Sequence, residues 1–489
     1  MAQTRDTLRE QVQRTLRNRL FVVVSNREPY LHVYRDRKIQ MLRPASGLTI
    51  ALDPVMRAVG GLWVAHGAGE ADPELTDDRG RLQVPPEKPA YTLKRVWLTK
   101  EQEEGYYYGF ANGAFWPLCH NVFRRPVFRQ SDWERYREVN GLFAQAVAEE
   151  VGDQKAFIFI QDYHWGLLPR MLKERCPRAK VAHFWHIPWP HPEVFRICPW
   201  RIDILKGMLG NDMLCFHIRH HGLNFMDTVE RELEARTDRE ANAIVYRGHA
   251  TKIRNFPISV DFEAIQEEAG SREVARKMKG LREQFRLPHR NVGVGVDRAD
   301  YTKGIPDRLR AIDRFLELHP EYIGDFAFVQ VAVPSRVRVE EYRKLNEEID
   351  TLIEAINWKY RSGSWKPIVP LRQHLGRTEV FALYRLARFS LVTSLQDGMN
   401  LVAKEFVAAN LDENGVLVLS EFTGAARELT QALIVNPYSA DQTAEAIHRA
   451  LTMDDKQVRA RMHRLREIVR ERNIYKWAAD ILRKLRRLG

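Results

Sequence analysis

The sequence predicts an α/β protein made of two doubly wound parallel-sheet domains facing each other across a cleft. Three observations support this. Short apolar runs alternate with stretches of helical period along most of the 489 residues. The alternation pauses once, around Asn255-Phe256-Pro257-Ile258-Ser259, before a charged helical stretch, which places a domain boundary between 257 and 258. Several of the runs end in charged or glycine-containing turns, the position from which open α/β sheets bind ligands.

In chain order, the apolar runs of the first half are 20–24, 156–161 and 181–185. Those of the second half are 292–296, 326–333, 389–393, 416–419 and 433–435. Helical period separates them over 130–150, 201–209, 222–233, 305–318, 338–356 and 379–387. The first twenty residues read as a short polar helix leading into the first strand, and Pro85, Pro86 and Pro89 mark a surface loop. There is no internal repeat.

Hydrophobic content of 44% and charged content of 29% describe a globular chain. No 18-residue apolar run is present, so no membrane span is expected. The N-terminal segment lacks the apolar core of a signal peptide, and Asp6 and Glu10 argue against a transit peptide, so a cytoplasmic location is expected. Cys119, Cys176, Cys198 and Cys215 show no CxxC spacing and imply no disulfide or zinc framework. The net charge of +12 suits a phosphorylated anionic ligand or nucleic acid. Much of the excess lies between Arg459 and Arg487, at a spacing that fits the solvent face of a helix, and no nucleic-acid-binding signature accompanies it.

The most informative stretch is 397–405, DGMNLVAKE, after the run 389–393. It delivers Asp397, the amides of Gly398, Met399, Asn400 and Leu401, and then Glu405, placed about two turns into a helix. The two carboxylates can then reach opposite ends of an elongated ligand. An N-capping role for Asp397 is the alternative. Upstream, Arg298 and Lys303 lie past the strand 292–296, where a helix opens at Gly304-Ile305-Pro306; two cations at a helix N-terminus make a phosphate site. Gly293 and Gly295 fall inside that strand, so it is not a dinucleotide loop.

Arg27 and Arg336 follow the runs 20–24 and 326–333, and a guanidinium there suits phosphate. Ser46-Gly47-Leu48 is a glycine turn before an apolar helix. Asp162 and His186 sit at two further strand ends. Tyr106, Tyr107, Tyr108 and Trp116 read as a loop wall against a sugar face, or as core aromatics. His217, His220 and His221 lack a matching carboxylate for a metal. No GxSxG, Walker or HExxH motif occurs, and no paired acids of a glycosidase are evident.

At these residues the chain resembles the trehalose-6-phosphate synthases, glycosyltransferase family 20, from about residue 20 to 480. The resemblance is carried by VDRADYTKGIPDRL (296–309), DGMNLVAKEF (397–406), QDYH (161–164), HIPWPHPEVF (186–195) and FANGAFWPLCH (110–120). It implies a GT-B fold of two Rossmann-like domains: an acceptor domain 1–257, a nucleotide-sugar domain 258–465, and a C-terminal helix 466–489, around Trp477, returning to the first domain. It implies that Arg298 and Lys303 bind the donor diphosphate with the amides near Asn400 and Leu401, and that Glu405 holds the ribose. Asp397 and His186 would bond hydroxyls of the transferred glucose, with Gly47 in the loop closing over the donor. Arg27, Tyr107, Trp116 and Arg336 match the acceptor-phosphate set, and Asp162 faces the acceptor sugar.

The implied reaction moves glucose, with retention, from a nucleoside-diphosphate glucose (UDP before ADP or GDP) to glucose-6-phosphate. No protein nucleophile, cofactor or metal is expected. The expected partners are these small molecules and a separate phosphatase, because no DxDxT motif is present; a homo-oligomer is open, and neither nucleic acid nor membrane is expected. Two departures from the common pattern stand out: Ser46 replaces a glycine, and Ala299 and Gln396 replace Leu and Arg. A related branch makes glucosylglycerol phosphate and shares the Arg27–Tyr30 string; the Pro334-Ser335-Arg336 context favours a hexose phosphate. A non-catalytic sugar-phosphate sensor is the remaining alternative.

Overall fold

A computed structural model describes residues 3–16, 19–43, 47–336 and 338–488. The chain divides into two compact units, Met1–Ile258 with Ile474–Gly489, and Ser259–Asn473.

The first unit is built on a ten-stranded sheet. From one edge the order is Arg236–Asp238, Ala243–Tyr246, His249–Asn255, Met213–Phe216, Lys180–Phe184, Ala156–Gln161, Leu20–Arg27, Leu62–His66, Tyr91–Val96 and Arg81–Val84. All neighbours are parallel except at the two margins, where Arg236–Asp238, Ala243–Tyr246 and Arg81–Val84 pair antiparallel. The central strands are covered by helices on both faces, so Ala156–Gln161 is buried along its whole length and shows no alternation. The chain extends the sheet to one side of Leu20–Arg27 and then to the other, which makes the gap between Leu20–Arg27 and Ala156–Gln161 a topological switch point.

The second unit holds six parallel strands in the order Ile368–Leu371, Ala327–Pro334, Val292–Ala299, Phe389–Val392, Val416–Ser420, Leu433–Val435. Numbered along the chain this is 3-2-1-4-5-6, with the switch point between Val292–Ala299 and Phe389–Val392. The expected doubly wound sheets are both present.

The expected break at 465 falls inside a continuous helix, Asp455–Glu471. Its buried Arg466 donates from Nη1 to the carbonyls of Val407, Ala408 and Asn410 at the end of the helix Leu401–Ala409, which fixes it to the second unit. The returning segment is therefore Ile474–Arg486 alone. It buries Ile474, Trp477, Ala478, Ile481, Leu482 and Leu485 and exposes Arg483, Lys484 and Arg486, so the basic tail does provide a solvent face. Trp477 packs its ring on Phe159 and Phe184 and donates Nε1–H to the carbonyl of Phe256. The N-terminal helix Arg5–Leu16 packs Leu8 and Val12 into the same unit.

One sequence expectation is corrected outright. Residues 104–120 form no loop wall: Glu104–Phe115 is a π-helix running into Trp116–His120. Gly109 explains why this segment packs so closely on the helix Gln130–Val151, since a Cβ there would lie 2.4 Å from the Asp132 carboxyl carbon. Among the described residues no helix is long and apolar enough to cross a membrane.

Candidate active site

In the second unit the functional residues gather where the strands at the switch point end. Arg298 is still within its strand, paired with Val333, rather than beyond it. A single 3₁₀ turn, Tyr301–Lys303, follows, and Gly304 at φ +61° opens the helix Ile305–Leu318. Leu395, after the neighbouring strand, donates its N–H to the Thr302 carbonyl at 2.8 Å and joins the two turns.

Lys303 Nζ lies 2.5 Å from Asp397 Oδ2. Burial opposes the charge on Lys303, but Asp397 and Asp297 outweigh it and raise the pKa, so the ammonium is retained. Asp397 Oδ2 also accepts from Asn400 Nδ2 at 3.1 Å and Ser394 Oγ at 3.3 Å. Asp397 is not the helix cap. Asn400, at φ +85°, takes that role, accepting from the Ala403 N–H at 3.0 Å. Because 397–400 is not helical, the helix starts at Leu401 and Glu405 stands just over one turn in, not two. Gly398 and the buried Met399 form the bend before Asn400, and the amides of Leu401 and Val402 belong to the first helical turn, which has no intrahelical acceptors.

Glu405 has no hydrogen-bond donor among the described residues, and burial, only partly offset by Arg377, pushes it up to about 7. No described group accepts a hydrogen bond from Arg298. Together with Arg336 and Lys303, Arg298 acts on Asp300: burial opposes ionisation there, and the cations overcome it and hold the carboxyl at about 2. Arg336, at φ +50°, lies 3.1 Å by Nη1 from Asp300 Oδ2 and also contacts the Tyr342 hydroxyl.

At the corresponding edge of the first unit Arg27 and Asp162 stand among aromatic and amide groups, with Arg95 buried against Glu28 and Asp72 at neighbouring strand ends. Arg27 Nη2 donates to the Tyr107 hydroxyl at 3.1 Å, and the Tyr107 ring stacks on His164 at 5.8 Å. The π-helix supplies Tyr107 and also Asn112, whose Oδ1 accepts from Tyr163 OH at 2.9 Å. Trp116 lies 5.6 Å from the Tyr163 ring.

Asp162 adopts φ +75° and ψ 175°, a backbone conformation that residues other than glycine avoid. Its Oδ1 accepts from the N–H groups of Tyr163 at 2.9 Å and His186 at 3.3 Å, and its carbonyl bonds His183 Nε2 at 2.8 Å. His186 Nε2 lies 3.0 Å from Gln161 Oε1, while Gln161 Nε2 donates to the Phe159 carbonyl. This network assigns the His186 proton to Nε2 and leaves Nδ1 as an acceptor. Burial and then the neighbouring His217 and His183 depress the His186 pKa well below its ordinary value, so the ring is neutral. Gly47 is the first residue of the helix Gly47–Val59; Ser46 before it lies outside the described residues.

Among the described residues, His217, His220 and His221 do not form a group of converging ligand atoms. His217 precedes the helix Arg219–Glu232 and packs against Phe184 and His186, whereas His221 is within that helix; both are buried. Among the described residues, the group with ligand atoms within 4.8 Å of one another is His319, Glu321 and His448. The two imidazoles there lie parallel at 3.8 Å, so their in-plane lone pairs do not converge on one ion. His319 follows the end of the helix Ile305–Leu318, at the far end of that helix from Lys303, and His448 lies in the helix Ala440–Thr452.

Sequence reasoning missed Asp300, Tyr342, Ser394 and Gln161. Nothing in the local sequence distinguishes these from ordinary turn and strand polar residues; their importance comes from contacts between strand ends that are far apart in the chain.

The comparisons with known proteins identify the family. Residues 19–487 match the model of glycosyltransferase family 20. A trehalose-6-phosphate synthase of Mycolicibacterium vanbaalenii is 37% identical over 473 residues, covering 94% of this chain and 95% of that protein. The corresponding enzyme of Mycobacterium avium is 37% identical over 478 residues, covering 96% of each. Among solved structures, the E. coli protein bound with UDP-2-fluoro glucose superposes with a TM-score of 0.85 at 31% identity, over 95% of this chain and 98% of that one. A UDP-forming α,α-trehalose-phosphate synthase of Burkholderia xenovorans in complex with glucose-6-phosphate gives 0.85 at 29% identity, over 95% and 99%. Together with the paired sheets and the residues at their strand ends, these matches place the chain in glycosyltransferase family 20.

Proposed function

We propose that this GT-B enzyme transfers glucose from UDP-glucose to glucose-6-phosphate with retention of configuration, yielding α,α-trehalose-6-phosphate and UDP. The observation that carries the reading is the cationic turn of the second unit. There Arg298 and the charged Lys303 stand beside two helix N-termini at the switch point of a 3-2-1-4-5-6 sheet. Relatives solved with a UDP-sugar analogue and with glucose-6-phosphate support the two substrates.

In this reading Arg298, Lys303 and the amides of the Leu401 turn bind the diphosphate, and Glu405 accepts from the ribose hydroxyls. Asp397 and His186 Nδ1 accept hydrogen bonds from the transferred glucose. Arg27, Tyr107, Trp116 and Arg336 bind the acceptor, with Asp162 accepting from its sugar hydroxyls. The bond from the anomeric carbon to the β-phosphate oxygen breaks as the acceptor hydroxyl attacks from the same face. The hydroxyl proton passes to the departing phosphate, so no side chain is needed as base. The neutral His186 and the heavily bonded Asp162 fit roles in positioning.

Arg298 and Lys303 supply the positive charge that a divalent ion supplies elsewhere, so activity should persist in excess chelator. A separate phosphatase is required downstream to release the free sugar.

The test is UDP release from UDP-glucose with glucose-6-phosphate or glycerol-3-phosphate as acceptor, with the anomeric configuration of the product read by NMR. An α,α-linked product formed only with the hexose phosphate supports the reading. Preference for glycerol-3-phosphate, or a β-linked product, contradicts it.

A further inference from the structure

Asp300 has no place in the mechanism above, yet it is completely buried beside it. It stands at the end of the strand Val292–Ala299, immediately before the turn that carries Lys303, and next to the end of the strand Ala327–Pro334, which leads to Arg336. Ser335 Oγ donates to the Ala299 carbonyl at 3.0 Å and holds the two strand ends together.

The two carboxylate oxygens face different partners. Oδ1 accepts from Thr302 N–H at 3.0 Å and Thr302 Oγ1 at 2.9 Å, bracing the Lys303 turn. Oδ2 accepts from Arg336 Nη1 and from the Tyr342 hydroxyl, both at 3.1 Å. Four donors on two oxygens fill the acceptor capacity of a carboxylate. Tyr342, buried on the helix Glu340–Tyr360, contacts both members of the pair and lies under the Arg336 guanidinium at 5.3 Å.

We propose that Asp300 is a positioning residue that fixes the guanidinium of Arg336 for the acceptor's phosphate and ties it to the turn that grips the donor. The proposal rests on the reading of Arg336 as an acceptor-phosphate ligand. An arginine side chain free to rotate loses entropy when it orders on a phosphate, and a guanidinium already held by Asp300 and Tyr342 has lost it beforehand. The simplest electrostatic view makes the opposite prediction. A buried anion beside a phosphate repels it, so neutralising Asp300 should strengthen acceptor binding. The sign of the effect separates the two.

Asp300→Asn is the sharp variant, because Asn keeps an acceptor for Thr302 but can turn its amide NH₂ toward Arg336. At saturating UDP-glucose the KM for glucose-6-phosphate should rise about tenfold, with the KM for UDP-glucose changed less than about threefold. Tyr342→Phe should raise the acceptor KM about threefold. In the double variant with Arg336→Ala, Asp300→Asn should add nothing further.

An acceptor KM that stays constant or falls in Asp300→Asn, or effects that multiply in the double variant, would overturn the proposal while leaving Arg336 at the acceptor. A wild-type acceptor KM in Arg336→Ala would instead remove the reading beneath it. Should Asp300→Asn fail to fold, Tyr342→Phe decides the matter by the same KM.

Discussion

The ends of the strands differ in chemistry between the two units. The second unit concentrates charge: Lys303 with Asp397, Arg336 with Asp300, Arg308 with Asp297 and Lys404 with Glu428, each pair largely or wholly withdrawn from solvent. The corresponding edge of the first unit holds Arg27 and Asp162 among hydrogen-bonding and aromatic groups, namely Tyr107, His164, Trp116, Asn112 and the uncharged His186, with the buried Arg95, paired to Glu28 and Asp72, at neighbouring strand ends. Buried charges are costly and persist only when paired, so the second edge is a framework of ion pairs that, in the proposed reading, keeps cations in place for a diphosphate. The first edge fits a sugar, whose hydroxyls need directional acceptors and whose ring faces pack on aromatic rings. In the second unit the cations assigned to substrate are themselves held in buried pairs, so substitutions there are expected to have larger effects, and on stability as well as catalysis.

The largest effect is expected away from substrate. Lys404 Nζ lies 2.6 Å from Glu428 Oε2 with both side chains buried, and burial already lowers the Lys404 pKa against the pull of Glu428. Glu428→Gln should cost about 3–5 kcal/mol in urea unfolding, because it removes the carboxylate whose charge offsets the burial of the Lys404 ammonium. A loss below about 1 kcal/mol would break the view that this edge is an ionic framework. Lys303→Ala should follow, lowering kcat about 10²–10³-fold through lost stabilisation of the departing diphosphate. In the first unit Arg27→Ala should act mainly on the acceptor KM, by roughly 10- to 100-fold, the value of a charge-assisted hydrogen bond to phosphate.

The smallest effect is a pH dependence. Glu405 ionises at about 7, above its ordinary value because of burial. Below that pH it is protonated and is a weaker acceptor for donor hydroxyls. UDP-glucose affinity should therefore rise a few-fold as pH increases through about 7, and Glu405→Gln should flatten the profile. A flat wild-type profile would remove Glu405 from the donor site.

Much of this contrast is legible in the amino-acid sequence. The strands stand out because parallel strands covered on both faces are continuous apolar runs, as in 156–161 and 326–333. The charges that follow them are visible for the same reason. What the sequence conceals depends on contacts between distant segments. The π-helix 104–115 reads as a loop because its glycines signal a turn, and only the close packing of Gly109 against Asp132 shows why a helix tolerates them. Asp300 passes for an ordinary turn carboxylate, because its partner Arg336 comes from the end of another strand. The two-turn spacing expected for Glu405 does not hold because the left-handed Asn400 delays the start of the helix.

The account depends most on Arg298 and Lys303 gripping the diphosphate. Titration calorimetry of UDP into the wild type, Arg298→Ala and Lys303→Ala, all in excess chelator, measures that directly. The account predicts binding by the wild type and a Kd weaker by about tenfold or more in each variant, in line with about 1.5–3 kcal/mol per charged contact. Undiminished UDP affinity in either folded variant would contradict it.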